Sequence, residues 1–219
     1  MRVTDTIQTD MIRIWDVEAQ QDAILRAAAL LRDGRLVAFP TETVYGLGAL
    51  ACDEGAVVAL YQAKARPRSK AFSVQVADMS MVSQVAAAVP ETAQKLIKAF
   101  CPGPITIVLP KRKDISDVVT GGRPTVGVRI PDNQIALKLL KAVGKPLAVP
   151  SANISNHHSP LSGADVYTDM FGRLDLILDG GSCSIGREST IVDCTINPPV
   201  ILRPGGVTLE MLREVDPDI

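Results

Sequence analysis

The sequence is poor in aromatic residues and has neither a long apolar run nor a strong net charge. Aromatic residues make up 4% of its 219 residues, against 47% hydrophobic residues. We therefore expect a core of valine, leucine, isoleucine and alanine, as is common in α/β domains. No apolar run approaches the roughly 18 residues that a membrane helix needs, and the N-terminus has no apolar segment of the signal-peptide type. These absences predict a cytoplasmic protein that does not contact a membrane.

The charge balance and the cysteine spacing exclude further classes. A net charge of −1 and a pI near 6.1 argue against a protein that coats nucleic acid through its overall charge, although a local basic groove remains compatible with them. No two cysteines form a C-x-x-C pair, so we expect core cysteines rather than a zinc or redox centre. Adjacent histidines seldom chelate one ion, which disfavours a metal site at His157 and His158. The cysteines are Cys52, Cys101, Cys183 and Cys194.

Residues 36–48, LVAFPTETVYGLG, are the stretch around which the chain is organised. Four apolar residues followed by Pro40 predict a buried strand that ends at the proline. Thr41 and its neighbours then lie at the carboxyl end of a strand, where open α/β sheets bind ligands. Residues 46–48, Gly-Leu-Gly, predict either a close approach of the backbone to another group or a tight turn. The alternative is an ordinary strand-to-helix connection with solvated hydroxyls.

The remaining pattern alternates short apolar strands with amphipathic helices, without repeats or an internal linker. We predict a disordered segment over residues 1–12 and a single domain over residues 13–219. The predicted helices are 18–32, 53–63, 79–88, 90–99, 133–143 and a short one from Thr208. The predicted strands are 36–39, 72–76, 105–109, 125–130, 147–149, 175–179, one leading to Asp193, and 200–202.

Polar and basic groups recur next to these strands. Residues 64–70 contain four cations, which is typical either of a solvated loop or of a site for a polyphosphate. Ser151 and Asn153 follow the strand 147–149. Arg129 lies inside a strand, where a cation is costly unless it is paired or faces a polar cleft. The residues alone leave both explanations open.

The motifs that carry these groups resemble, in order, those of the YrdC/TsaC family. The match begins with the P-T-E-T-V-Y-G-L-G string and spans about residues 36 to 206. The further matches are K-x-R-P at 64–67, P-G-P-[LI]-T at 102–106, V-x-V-R-x-P at 126–131, S-A-N-x-S at 151–155, S-T-[IV]-V-D at 189–193 and L-R-P-G at 202–205. The resemblance implies a twisted mixed α/β sheet flanked by helices, with a concave basic cleft.

The resemblance also implies an enzyme, a nucleotidyltransferase of the L-threonylcarbamoyladenylate synthase type. Such enzymes make L-threonylcarbamoyl-AMP from L-threonine, bicarbonate and ATP, and release pyrophosphate. The product feeds N6-threonylcarbamoyladenosine formation at position 37 of tRNA, so tRNA threonylcarbamoyl-transfer proteins would be downstream partners. No covalent protein nucleophile is implied, and Mg²⁺ would be held through the ATP phosphates rather than by protein ligands. The implied threonine or carbamate site is Thr41, Arg129, Asn153 and Ser189. The implied ATP site is Lys64, Arg66, Arg68, Thr125, Ser151 and Arg203.

The chain departs from the family pattern at Gln75, where many members have histidine, and at Leu161, which replaces a hydroxyl residue. One alternative function is an RNA-binding module of the same fold without catalysis, which contacts tRNA or double-stranded RNA through residues 64–70 and 111–113. A second alternative, the carbamoyl-adenylate domain of the hydrogenase-maturation carbamoyltransferases, is disfavoured. Those chains are much longer and carry zinc-finger and acylphosphatase-like parts that this sequence does not show. A purely structural protein would leave the polar strand ends unexplained.

Overall fold

The computed structural model describes residues 7–219, whose strands form one ten-stranded sheet. The strands are β1 (Asp10–Arg13), β2 (Val37–Phe39), β3 (Gly46–Leu50), β4 (Ser73–Gln75), β5 (Ile105–Pro110), β6 (Thr125–Arg129), β7 (Leu147–Ala148), β8 (Leu176–Asp179), β9 (Thr190–Asp193) and β10 (Val200–Arg203). The helices are α1 (Gln21–Arg32), α2 (Glu54–Ala63), α3 (Met79–Val82), α4 (Glu91–Phe100), α5 (Asp117–Thr120), α6 (Gln134–Val143), α7 (Gly163–Met170) and α8 (Leu209–Val215).

The sheet mixes parallel and antiparallel pairs, in the order β1-β8-β2-β3-β7-β4-β6-β5-β9-β10. The parallel pairs are β1 with β8, β2 with β8, β4 with β6, and β5 with β9. The other neighbouring pairs are antiparallel. The predicted mixed α/β fold is therefore confirmed. No helix within residues 7–219 is both long and apolar enough to cross a membrane.

Side-chain caps determine where several helices begin. The Asp53 carboxylate accepts a hydrogen bond from the backbone N–H of Ala56 at the start of α2, as predicted. Helix α7 was missed by the strand and helix prediction, yet it has a capping box in which Ser162 and Asp165 each accept a backbone N–H. The S-x-x-D spacing is the sequence signal that could have found it.

Residues 46–48 form part of β3, so of the two explanations for these glycines the turn is wrong and the close approach is confirmed. Gly46 pairs with Phe39, and Gly48 pairs with Val37. A Cβ at Gly46 would lie 2.5 Å from Cγ1 of Val149, and one at Gly48 would lie 2.9 Å from the Phe39 ring. The glycines are needed here because neighbouring side chains occupy the space above the strand, not because the chain turns.

The predicted disorder over residues 1–12 is wrong for residues 10–12. Asp10–Arg13 forms β1 and pairs in parallel register with β8. The Thr9 side chain is buried, and its hydroxyl donates to the Leu174 carbonyl at 2.7 Å. Residues 1–6 lie outside the described residues. The strand was missed because it is only four residues long and begins in a mostly polar stretch, residues 1–10, that resembles a solvated terminus.

The cysteines differ in their burial. Cys194 is buried, as predicted, and burial raises the pKa of its thiol to about 12. Cys101 and Cys183 are partly buried, and burial raises both of their pKa values to about 11. Cys52 is exposed, so its prediction as a core residue is wrong.

Candidate active site

A polar cleft of about 160 Å³ opens on the sheet beside β4, β5 and β6. Every motif segment matched above supplies at least one side chain to its lining. The polar lining side chains are Thr43, Arg66, Ser73, Gln75, Thr106, Arg129, Ser151, Glu188, Ser189 and Arg203. An adjoining polar pocket of about 230 Å³ shares Arg66, Ser151, Glu188 and Arg203 with the cleft and adds Lys64, Lys70 and Asn153. This arrangement brings together residues that are far apart in the sequence.

The floor of the cleft follows from the register of β4 and β6. Gln75 pairs with Arg129 and Ser73 pairs with Gly127 in this parallel ladder. Because side chains alternate along a strand, Ser73 and Gln75 face the same side of the sheet. Gly127 lies between them and Thr106, and a Cβ there would be 3.1 Å from Cγ2 of Thr106. The missing side chain therefore keeps the floor open.

Arg129 faces the cleft and is also half of a buried ion pair. Its Nη2 lies 2.8 Å from Oε1 of Glu42 and donates to Oγ1 of Thr43 at 2.7 Å, while its Nε donates weakly to the Gly103 carbonyl at 3.4 Å. Both charged side chains are less than one-tenth exposed. Beyond this ion pair, the Glu42 carboxylate oxygens have no hydrogen-bond partner among residues 7–219. Arg129 is therefore both paired with a buried carboxylate and directed into a polar cleft, so both explanations left open by the sequence hold.

Thr41 lies behind the cleft rather than in its lining. Its hydroxyl donates to the Val44 carbonyl at 2.7 Å and lies 2.8 Å from Oγ1 of Thr43. A chain of hydrogen bonds therefore runs from Arg129 through Thr43 to Thr41. Thr43 is the hydroxyl that reaches the cleft, and the sequence prediction missed it although both threonines belong to the same motif.

Arg203 is held by the loop before β9. Its Nε and Nη2 donate to the Ser189 carbonyl at 3.1 and 2.8 Å, and its Nη1 pairs with the Glu188 carboxylate. The Ser189 hydroxyl lies 2.8 Å from the Thr106 hydroxyl. A Cβ at Gly205 would approach the Glu188 carbonyl oxygen to 2.4 Å, which explains the glycine after Arg203 and Pro204. Thr106 and Glu188 are lining residues that were not predicted as site residues.

Lys64 is almost completely buried at the end of α2. Its Nζ donates to the carbonyl oxygens of Ser151 and Asn153, each at 2.5 Å, so it ties the segment after β7 to the helix end. Burial, with repulsion from the nearby Arg66, lowers the pKa of Lys64 to about 7. The ammonium group therefore changes charge near neutral pH.

Arg66 lies between the cleft and the adjoining pocket. Its Nη2 donates to the Ala71 carbonyl at 3.0 Å, and its guanidinium lies 5.3 Å from the centre of the Phe72 ring. Burial lowers its pKa from the usual value. A guanidinium supported by an aromatic ring has fewer conformations to lose when it binds an anion.

The segment after β7 is held together by its own side chains. Oδ1 of Asn153 accepts a hydrogen bond from the Ser151 hydroxyl at 2.5 Å, and its Nδ2 donates to the His157 carbonyl at 2.7 Å. Asn153 thereby orders the loop, and Ser151 presents its side chain to both the cleft and the adjoining pocket.

Five of the ten predicted site residues, all of which the structure describes, line the cleft, two line only the adjoining pocket, and three line neither. Arg66, Arg129, Ser151, Ser189 and Arg203 line the cleft, and Lys64 and Asn153 line the adjoining pocket. The cleft lining within residues 7–219 does not include Thr41, Arg68 or Thr125. Arg68 is exposed on the loop after α2. Thr125 is four residues before Arg129 in β6, on the same face and about 13 Å along the strand.

The two departures from the family motifs lie in different places. Gln75 is 3% exposed, lines the cleft, and has no hydrogen-bond partner for Oε1 among the described residues. Its amide is therefore free to accept a hydrogen bond from a bound molecule. Leu161 is 40% exposed and lines a more open pocket with His157 and His158.

Comparisons with known proteins agree with the family resemblance. The Sua5/YciO/YrdC family model, described as telomere recombination, matches residues 29–205. A threonylcarbamoyl-AMP synthase of Pyrococcus abyssi is 49% identical over 189 residues, which is 86% of this chain and 56% of that protein. One of Bacillus subtilis is 45% identical over 201 residues, which is 91% of this chain and 58% of that protein. The crystal structure of P. abyssi Sua5 complexed with L-threonine matches with a TM-score of 0.92 and 45% identity, over 96% of this chain and 61% of that one. The chain thus spans just over half the length of these curated relatives.

Proposed function

The chain belongs to the Sua5/YciO/YrdC family, and we propose that it condenses L-threonine, bicarbonate and ATP into L-threonylcarbamoyl-AMP with release of pyrophosphate. The names of the P. abyssi and B. subtilis relatives support this activity, and the L-threonine complex of P. abyssi Sua5 supports the amino acid. The reaction is a nucleotidyl transfer that takes place in the cytoplasm, where ATP and tRNA are found.

The observation that carries the proposal is the composition of the cleft. Three guanidinium groups, from Arg66, Arg129 and Arg203, line the same space as the hydroxyls of Thr43 and Ser189. Guanidinium groups match the geometry of carboxylate and phosphate oxygens, and hydroxyls can both donate and accept. A substrate with a carboxylate, a hydroxyl and a polyphosphate partner suits this set.

We assign the threonine side of the cleft to Arg129, Asn153 and Ser189. Nε and Nη2 of Arg129 are engaged by protein oxygens, so its Nη1 donors are the ones available to the threonine carboxylate. Asn153 orders the adjacent loop, and Ser189 supplies a hydroxyl. Thr41 contributes through Thr43, whose hydroxyl it orients.

The ATP side consists of cations and hydroxyls along the cleft and the adjoining pocket. Charge-assisted hydrogen bonds from such groups are the strongest that a phosphate can receive. The same lining fits Mg²⁺ held by the ATP phosphates, because its cations and hydroxyls would bind phosphate oxygens and the phosphates themselves would hold the metal ion. When bound, Mg²⁺ would neutralise charge on the leaving pyrophosphate. Of the assigned residues, Lys64, Arg66, Ser151 and Arg203 line these spaces. In the part of the chain that the structure describes, Arg68 and Thr125 line neither and would contact the nucleotide from outside them.

The chemistry requires positioning and charge stabilisation rather than a protein nucleophile. The threonine amine, after losing a proton, adds to bicarbonate to give the carbamate and water. A carbamate oxygen then forms a bond to the α-phosphorus, and the bond from that phosphorus to the bridging oxygen breaks as pyrophosphate leaves. Arg66 and Arg203 would stabilise charge at the phosphates, while Arg129 holds the nucleophile in line.

The product would pass to proteins that transfer the threonylcarbamoyl group to adenosine 37 of tRNA. An RNA-binding module without catalysis is not favoured, because the relatives are named as synthases. Direct contact with tRNA or double-stranded RNA is not needed for this role.

Pyrophosphate release tests the proposal. The purified chain should release pyrophosphate from ATP only when both L-threonine and bicarbonate are present, and the product should have the mass of L-threonylcarbamoyl-AMP. L-Serine, which lacks the methyl group, is the matched control and should support little or no release. Equal release with serine, with glycine or without an amino acid would refute threonine as the substrate.

A further inference from the structure

One carboxylate lies among the cations of the cleft and the adjoining pocket. Within residues 7–219, Glu188 is the one acidic side chain that lines either space. The cations that line them are Lys64, Arg66, Lys70, Arg129 and Arg203. A carboxylate at this place repels the phosphates that the cations attract, so its presence needs a physical reason.

Glu188 is held by one cation and one hydroxyl. Its Oε2 pairs with Nη1 of Arg203, and its Oε1 accepts a hydrogen bond from the Ser159 hydroxyl at 2.8 Å. Its backbone is held by the hydrogen bond from Gly206 N–H to the Glu188 carbonyl at 3.1 Å. The Glu188 side chain itself is 38% exposed, so it can change rotamer without disturbing the core.

Arg203 does not depend on Glu188 for its position. Its Nε and Nη2 both donate to the carbonyl of Ser189, which lies at the start of β9. The contact with Glu188 uses only the third nitrogen, Nη1, and both side chains line the cleft and the adjoining pocket. The carboxylate therefore occupies the donor of Arg203 that a phosphate oxygen would use.

We propose that Glu188 is an internal anion that pairs with Arg203 and competes with bound polyphosphate for it, so that pyrophosphate is released more easily. The inference rests on the proposed function in taking a polyphosphate as the ligand. When phosphate binds, the carboxylate loses Arg203 but keeps its hydrogen bond from Ser159. When pyrophosphate leaves, the carboxylate pairs with Arg203 again and prevents rebinding.

The expected effect is large enough to measure. A carboxylate about 6 Å from a bound phosphate, at an effective dielectric constant of about 40, raises the dissociation constant of that phosphate by about tenfold. Glu188→Gln replaces the carboxylate by a neutral amide of the same shape, which removes this repulsion and leaves Arg203 in place.

Binding of inorganic pyrophosphate and tripolyphosphate without Mg²⁺, measured by calorimetry, tests the inference. Glu188→Gln should bind both anions about three- to tenfold more tightly than the wild type. In the synthase reaction, added pyrophosphate should inhibit this variant at correspondingly lower concentrations. Glu18→Gln is the matched control: it removes the same charge from an exposed residue that pairs with Lys138, and should bind as the wild type does.

The possible results separate this inference from the proposed function. Unchanged or weaker anion binding by Glu188→Gln would overturn the inference, since Glu188 would then support the site rather than compete in it. Failure of the wild type to bind either anion at millimolar concentration would overturn it as well. If Glu188→Gln binds the anions more tightly but threonine-dependent pyrophosphate release is absent, the inference stands and the proposed function fails.

Discussion

Replacing Arg129 by methionine should destabilise the protein by stranding the buried carboxylate of Glu42. Methionine keeps most of the apolar stem and removes the guanidinium. Glu42 is 5% exposed, and within residues 7–219 it forms an ion pair only with Arg129, whose Nη2 lies 2.8 Å from Oε1. Removing one partner of a buried ion pair typically costs about 3–5 kcal/mol. For a domain of this size, the melting temperature should fall by about 6–20 °C.

A double-mutant cycle separates this cost from any general damage to the core. Glu42→Gln removes the stranded charge, so Glu42→Gln/Arg129→Met should recover most of the stability lost in Arg129→Met. Urea unfolding followed by circular dichroism gives the four free energies. Arg26→Met is the control: its pair with Asp10 is solvent-exposed, and its loss should change the free energy of unfolding by less than about 1 kcal/mol.

Two results would refute this reasoning. Arg129→Met could unfold with a free energy within about 1 kcal/mol of the wild type, which would mean that the pair contributes nothing. Alternatively, the double variant could be no more stable than Arg129→Met. The double variant also isolates the role of Arg129 in function, because it should fold and yet require a much higher threonine concentration for pyrophosphate release.

Three further predictions follow from groups near the cleft. The unfolded chain keeps Lys64 protonated up to a pH of about 10.4, while the folded chain loses this proton above a pH of about 7. Between these pH values the free energy of unfolding should therefore rise by up to about 1.4 kcal/mol per pH unit relative to Lys64→Met. Stabilities of the two proteins, measured by urea unfolding, that change in parallel with pH would contradict this. Gly46→Ala should lower the free energy of unfolding by about 1–3 kcal/mol because its Cβ would meet Cγ1 of Val149 at 2.5 Å, and Val149→Ala should relieve that loss in the double variant. Tyr45→Phe should cost about 1–3 kcal/mol in a urea titration, since the buried phenol donates to the Gly181 carbonyl at 2.7 Å; an unchanged midpoint would show that water replaces this partner.

Much of the local structure was predictable because its causes lie within a few residues. The apolar run before Pro40 became the buried strand β2, and Asp53 and Asn133 cap the helices that were expected to begin there. Five of the ten polar side chains that line the cleft are among the site residues that the family motifs implied. Caps, strand ends and short motifs depend on neighbouring residues, and neighbours can be read directly from a sequence.

The tertiary structure decided which of these residues meet. The sequence alone determined a mixed α/β chain with polar groups at its strand ends, and it placed Arg129 in a strand. Only the packing of the loop between β2 and β3 against the end of β6 brought that guanidinium within hydrogen-bond distance of Thr43, 86 residues away, and made it both an ion-pair partner and a lining residue. The same packing turned Thr41 inward, placed Glu188 against Arg203, and extended residues 46–48 as a strand beneath Val149. Such contacts depend on strand register and on the space left by distant side chains, and neither is a property of any local stretch of sequence.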